Sequence, residues 1–435
     1  MIKLSAFQIT ILAIFGACAA AGVLIFAIAT SSSKTSSVGP ITIWGTLDGP
    51  TFTSVVENAA NTYPALSQVT YVQEKPADYQ NNLTQALASG AGPDVFLITQ
   101  DEAIQDSGET YVFPYTSLSQ SQFQSTFAEA ADPFMLPTGI VALPVIADPL
   151  VLYWNRDLLS DAGYSEPPQY WNQLPDMAAK MTQKDDAGTI KKSAVALGTY
   201  QNIDDAKDIL SALIMQAGGT LTSFDSTGKL TSTLSDSGIT PSEPAALTAL
   251  RFYTEFSNPS NSDYSWNGSL PDAQQDFAQG NVALYIGYAS EEAEIKAENP
   301  NLNFAVAPLP QIQNGPRSLD FARVYGFAVA RASKSEAGAQ TVAETLASTA
   351  NSSAFETAYN LPSVRRDILA QSASGDLVLF NQEAIISHEW YDPDPSATAT
   401  IFQSMIEDTV SGAVLIGDAV GRADQQMLQL IASKL

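Results

Sequence analysis

Along the first third of the chain, short apolar runs alternate with segments whose apolar residues recur every three or four positions. Ile41-Thr42-Ile43-Trp44, Val69-Thr70-Tyr71-Val72 and Val95-Phe96-Leu97-Ile98 are β-branched and aromatic, and each is bounded by turn-forming residues. Between them, Phe52, Val56, Ala59, Ala60 and Tyr63 share one helical face, and Tyr79, Leu83, Ala86 and Leu87 share another, stopped by Gly90 and Gly92. Strand, helix, strand, helix, strand predicts right-handed crossovers and a parallel sheet covered on both faces. In such sheets ligands bind at the carboxyl ends of the strands.

A second unit is predicted after Leu143-Pro144-Val145-Ile146. Leu150 to Trp154 reads as a buried strand and Asn155 to Ala162 as a helix ended by Gly163. Pro167-Pro168 is expected to start the next helix, through Trp171, Leu174, Ala178 and Met181. Ala206, Ile209, Leu210, Leu213, Ile214 and Ala217 make the cleanest amphipathic stripe, read as core packing. Asp185-Asp186-Ala187-Gly188 and Asp225-Ser226-Thr227-Gly228 lack the alternating oxygen ligands of a calcium loop and read as turns.

The amino terminus changes the picture. Ile9 to Ala29 is almost wholly apolar, and at about 1.5 Å per residue it spans roughly the 30 Å of a bilayer core. That predicts one N-terminal transmembrane helix: residues 1–8 a short cytoplasmic tip, 9–29 the anchor or signal, and 30–39 a Ser/Thr-rich linker. Phe15-Gly16-Ala17-Cys18 is an imperfect lipoprotein pattern, opposed by the apolar residues that continue past Cys18. The folded part is expected outside the cytoplasm, at the cell membrane, as a monomer.

Composition removes whole classes of function. The 435 residues carry 20 Lys+Arg against 46 Asp+Glu, a formal charge of −26, which repels nucleic acid. One Cys and one His exclude disulfides and most zinc sites, so neither metal nor cofactor is expected. No Gly-rich phosphate loop is present.

The order of several motifs resembles the extracellular solute-binding proteins of ABC importers, in particular the carbohydrate-binding, maltose-binding-like family. They are Leu87-Ala88-Ser89-Gly90-Ala91-Gly92-Pro93-Asp94, Leu152-Tyr153-Trp154-Asn155-Arg156-Asp157, Phe277-Ala278-Gln279-Gly280, Ala307-Pro308-Leu309-Pro310 and Pro362-Ser363-Val364-Arg365-Arg366-Asp367. The resemblance implies an α/β fold of two lobes, a hinged clamp like a periplasmic binding protein, with residues 40–147 plus 326–372 in lobe 1 and 148–325 plus 373–435 in lobe 2. Together with the apolar stretch Ile9 to Ala29, it implies a membrane-tethered protein that captures a carbohydrate and delivers it to ABC permease subunits, without catalysis. Sugar recognition needs flat apolar faces and planar polar groups, so the resemblance nominates Trp44, Asp94 and Asp148. Tyr288 stands near where relatives carry a stacking Trp, Tyr325 falls at the second crossing between lobes, and Trp390 lies in the late segment of lobe 2. His388 is expected to pack rather than to bind. The alternatives are a non-sugar solute in the same clamp, or a glycoside hydrolase built on a carboxylate pair.

Overall fold

The computed structural model describes residues 38–240 and 243–434. The expected tip, anchor and most of the linker lie outside these. Among the described residues no helix is long and apolar enough to cross a membrane.

Nine strands form one continuous sheet: β1 (Ile41–Gly45), β2 (Val69–Gln73), β3 (Val95–Thr99), β4 (Leu143–Asn155), β5 (Gln183–Lys184), β6 (Ile190–Val195), β7 (Val282–Tyr288), β8 (Phe304–Ala307) and β9 (Ala322–Val329). Their order is β2-β1-β3-β9-β4-β7-β6-β5, with β8 paired to β4. The helices used below are α1 (Gly49–Ala60), α2 (Pro76–Ser89), α3 (Ala206–Gln216), α4 (Ala245–Glu255), α5 (Glu291–Glu298), α6 (Glu336–Leu346), α7 (Thr349–Tyr359) and α8 (Leu377–Ile386), followed by α9 (Pro395–Val410) and α10 (Ile416–Lys434).

In the first half, β1 is parallel to both β2 and β3, as the alternating pattern predicts. Helix α2 ends at Gly90, whose φ of 71° is the left-handed conformation that residues bearing a Cβ resist. Phe52 of α1 stacks on Tyr71 at 3.9 Å and packs against Phe355 of α7 at 5.2 Å, an aromatic core for this half. The second half has its own, where Tyr153, Phe277, Tyr285 and Phe304 surround one another at centroid separations of 5.8 to 6.2 Å. Each half has its own aromatic cluster within one continuous buried core, and the fold has two lobes.

The lobes share β4. The sequence divides this segment into two pieces, but the structure makes it one strand of 13 residues. Its first part, to Pro149, pairs with β9, and from Leu150 onward it pairs with β7 on one side and β8 on the other. Prolines 144 and 149 suggest a break because neither donates to a ladder. The first sits beside a bulge in which Val145 is the extra residue opposite Tyr325-Gly326, and the second where β4 exchanges partners.

A second departure is the helix expected from Pro167-Pro168. The helix starts only at Leu174, preceded by a 3-10 turn over Trp171–Gln173. The Gln173 side chain accepts the amides of Gln169 and Tyr170 at 2.8 and 2.9 Å, which fixes a turn there instead. The two Asp-Gly segments are turns, closed by Asp185 and Asp225 carboxylates accepting the amides two and four residues on.

Candidate functional site

Three strand ends converge where the lobes meet. The carboxyl end of β3 runs into the turn Gln100–Glu102, the segment after β6 leads into the amino end of α3, and β7 ends at Tyr288 just before α5. β9 begins among them, and Arg323 stands directly opposite Asp148 of β4.

Arg323 is the centre of the site. Its guanidinium lies 4.0 Å from the centroid of the Tyr288 ring, with Asp205 at 3.8 Å and Asp208 at 4.0 Å, and it also bonds the Tyr325 hydroxyl. Tyr288 donates its hydroxyl proton to Asp208 at 2.6 Å. A cation stacked on an aromatic face and flanked by carboxylates is worth about 0.5–2 kcal/mol for the stack alone, and it fixes the guanidinium plane. The Arg323 side chain is half-buried, with 34% of it exposed.

A second cation lies beside it. Lys207 of α3 contacts Asp392 at 2.9 Å and Asp101 at 3.8 Å, with the Trp390 ring 5.7 Å away. Burial works against its charge, but the surrounding carboxylates outweigh this and hold the ammonium above its usual pKa. Asp101 follows β3, so its pairing with Lys207 spans the lobes. Gln100 also spans them: its amide nitrogen donates to Glu389 at 3.2 Å and its oxygen accepts the Val324 amide at 2.6 Å. Glu389 in turn accepts the Ala322 amide at 2.9 Å.

Burial raises the carboxyl groups that support this pair. Asp148 is pushed up to about 6 by desolvation, only partly offset by Arg323 and by the amide it accepts from Ser290. Asp392 stands at about 6 for the same first reason, with Lys207 opposing. Asp205 is raised well above the carboxylate range by burial and the neighbouring Glu291, and Glu389 by burial and Asp208.

Three of the nominated residues meet here: Asp148, Tyr288 and Tyr325 all surround Arg323. Tyr288 is buried with the guanidinium over its face, so Arg323 rather than Tyr288 meets the cleft. Trp390 borders Lys207 but is buried and stacks on Phe402 at 6.3 Å, so it supports Lys207 instead of offering an open face. Trp44 is half-buried on β1 in register with Phe96, about 10 Å short of the carboxyl end of β3.

Asp94 stands apart from this cluster. It precedes β3 and so lies at the strand's amino end, about 17 Å from Thr99. Its carboxylate accepts the Thr42 amide at 3.0 Å and the Ser333 hydroxyl at 2.6 Å, bracing β1 and the segment after β9. His388 pairs with Glu129 at 3.0 Å, away from Arg323.

The sequence reading passed over Arg323, Asp205, Lys207, Asp208, Asp101 and Glu389. One signal was available: Arg323 interrupts an apolar strand in a chain with only 20 Lys+Arg. The other was Asp205-Ala206-Lys207-Asp208, which opens the α3 stripe just after a strand. Hollows of about 770 Å³, lined in part by Pro168, Tyr170, Pro308 and Arg317, and of about 490 Å³, beside Trp171 and Phe252, open elsewhere. Neither includes a residue of the strand-end cluster. Among the described residues no group of three or more His, Cys, Asp or Glu is arranged to hold a metal ion.

Residues 45–352 match the family model described as bacterial extracellular solute-binding protein. A provisionally named binding protein of Brucella abortus (strain 2308) is 26% identical over 242 residues, 54% of this chain and 54% of its own length. A provisionally named ABC transporter-binding protein of Deinococcus radiodurans is 34% identical over 99 residues, 21% of each chain. The chain thus spans about half the length of the first of these curated relatives. Among solved structures, the cyclic alpha-maltosyl-1,6-maltose binding protein from Arthrobacter globiformis superposes with a TM-score of 0.72 at 16% identity, covering 91% of this chain and all of that one. A cyclo/maltodextrin-binding protein complexed with maltotetraose gives 0.71 at 17% identity, covering 90% of this chain and 98% of that one. At such identities the likeness is one of fold.

Proposed function

The chain belongs to the bacterial extracellular solute-binding protein family, and from that premise we propose that it captures a carbohydrate between its lobes and hands it to the permease of an ABC transporter. It does no chemistry of its own. The observation that carries this reading is the Arg323 guanidinium, stacked on Tyr288 and flanked by Asp205 and Asp208, on a half-buried side chain at the strand ends. A planar donor beside carboxylate acceptors suits vicinal hydroxyls, each of which must regain a hydrogen bond on leaving water. Because Arg323 and Lys207 are both already matched by carboxylates, the site favours an uncharged solute over an anion. The solved neighbours whose names include maltose and maltodextrin point the same way.

The lobes in this reading are residues 40–147 with 326–372 and 148–325 with 373–435, supported by the exchange of β4 partners near Pro149. The apolar stretch Ile9–Ala29 tethers the protein to the membrane, and the folded part works outside the cytoplasm.

The test is thermal unfolding of the full chain against neutral mono- and oligosaccharides, amino acids, polyamines and sugar phosphates. A ligand of the folded state adds about 2.7 kcal/mol of stability at a hundredfold excess over its Kd. A rise in midpoint with one neutral saccharide family, lost in Arg323→Ala, is expected. Stabilisation confined to charged non-sugars would overturn the carbohydrate assignment, and an unaltered response in Arg323→Ala would overturn the site.

A further inference from the structure

A hollow of about 410 Å³ opens between α7, the short helix Arg366–Leu369 and α8, and shares no residue with the strand-end cluster. Glu356 of α7 lines it and is only 9% exposed. Asn381 of α8, also lining the hollow, donates to Glu356 Oε1 at 3.2 Å and so fixes the carboxylate. The other oxygen, Oε2, has no partner among the described residues and is not sealed from solvent.

Nothing within the chain answers that charge. Among the described residues no Lys, Arg or His lines the hollow or forms an ion pair with Glu356. The cations that neighbour it in the chain are engaged elsewhere: Arg365 meets Asp367 at 3.0 Å, and Arg366 donates to the Phe127 carbonyl at 2.8 Å. The end of α7 adds to the demand. The helix stops at Asn360, where a φ of 53° turns the chain aside, and among the described residues neither its amide nor another donor caps the carbonyls of the last turn, which carries no basic residue. A helix carboxyl end bears about half a negative charge and favours a cation within a turn of it. Burying a carboxylate without a partner is costly, and a cation that reaches it offsets that cost.

We propose that this hollow is a binding site separate from the cleft, for a small organic cation: a primary ammonium that meets Glu356 and the end of α7, on a short alkyl chain lying against Ile368 and Leu377. The volume falls in the range of small-ligand sites. A hard metal ion needs several oxygen ligands at once, and one carboxylate with no second acid beside it does not supply them. An anion finds no cation here, and an uncharged sugar leaves the carboxylate unanswered. The charge of −26 draws cations to the whole surface, but the buried carboxylate beside an apolar wall selects an alkylammonium among them.

The experiment is isothermal titration of the full chain with n-butylammonium chloride, with sodium chloride and n-butanol as the charged and the apolar control. Saturable one-to-one binding of butylammonium alone is expected, weakened about tenfold or more in Glu356→Gln, which keeps the shape and removes the charge. Thr357→Lys, at an exposed position lining the hollow, supplies an ammonium from the chain itself and is expected to abolish binding, which keeps the test decisive should Glu356→Gln not fold. Equal responses to butylammonium and sodium would mean counter-ion screening only and would overturn the proposal. So would no binding in the parent, butanol binding as tightly, or unchanged affinity in either variant. Glu356 takes no part in the cleft, so Glu356→Gln is expected to keep any saccharide-induced rise in midpoint, and the failure of this site is distinguishable from failure of the carbohydrate reading.

Discussion

Arg323 shows how much one side chain depends on its neighbours. Its charge is kept in a half-buried site because Tyr288, Asp205 and Asp208 each take one aspect of it. The Tyr288 hydroxyl also fixes Asp208, at 2.6 Å. Tyr288→Phe is therefore expected to fold normally and to bind solute about tenfold more weakly, because a hydrogen bond to a charged group is lost while the ring beneath Arg323 remains. Isothermal titration with whichever saccharide stabilises the parent checks this, and unchanged affinity would mean that Asp208 needs no such anchor. None of these partners is readable from spacing, since Arg323 and Asp208 lie more than a hundred positions apart. Asp94 shows the converse. Pro93-Asp94 matches a family motif, yet a residue that precedes a parallel strand stands at its amino end, opposite the binding edge, and strand direction alone argues against it as a ligand.

At the scale of elements, β4 is the part on which both lobes hang. It ends at Asn155, whose side chain accepts the amides of Asp157 and Leu158 at 3.0 and 3.1 Å and so turns the strand directly into the helix Arg156–Asp161. Asn155→Ala is expected to destabilise the protein by about 1–2 kcal/mol, seen as a lower denaturant midpoint with an unchanged m-value. A changed m-value would instead mean that the lobes unfold separately. Helix α3 illustrates why an element's bland reading is incomplete. Its apolar stripe packs as the periodicity predicts, but its first turn carries Lys207 and Asp208 into the cleft, with Asp205 just before it. Periodicity reports which face is buried and says nothing of what the end of a helix meets.

At the scale of the whole molecule, burial raises the pKa of several acids. Asp148 and Asp392 are raised to about 6 and Glu383 to about 7, in each case by burial first. The folded chain thus holds these protons more tightly than the unfolded chain, where carboxyls titrate near 4. The stability they add is complete below about pH 4 and is lost as pH rises through about 6 to 7. The charge of −26 adds repulsion in the same direction. A Tm several degrees higher at about pH 5 than at about pH 8, at fixed ionic strength, is the expected result of a calorimetric series, and a higher Tm at the alkaline end would contradict it. The sequence by itself determined the elements of the first lobe, the alternation that makes a parallel sheet, and the order of motifs that resembles a solute-binding protein. These depend on local spacing and on which faces must leave water. Only the tertiary structure decided that β4 is one strand serving two lobes, and that Arg323 and Lys207 lie together where the strand ends meet. Those depend on strand direction and on contacts between residues far apart in the chain, which burial and charge pairing select only once the sheet has formed.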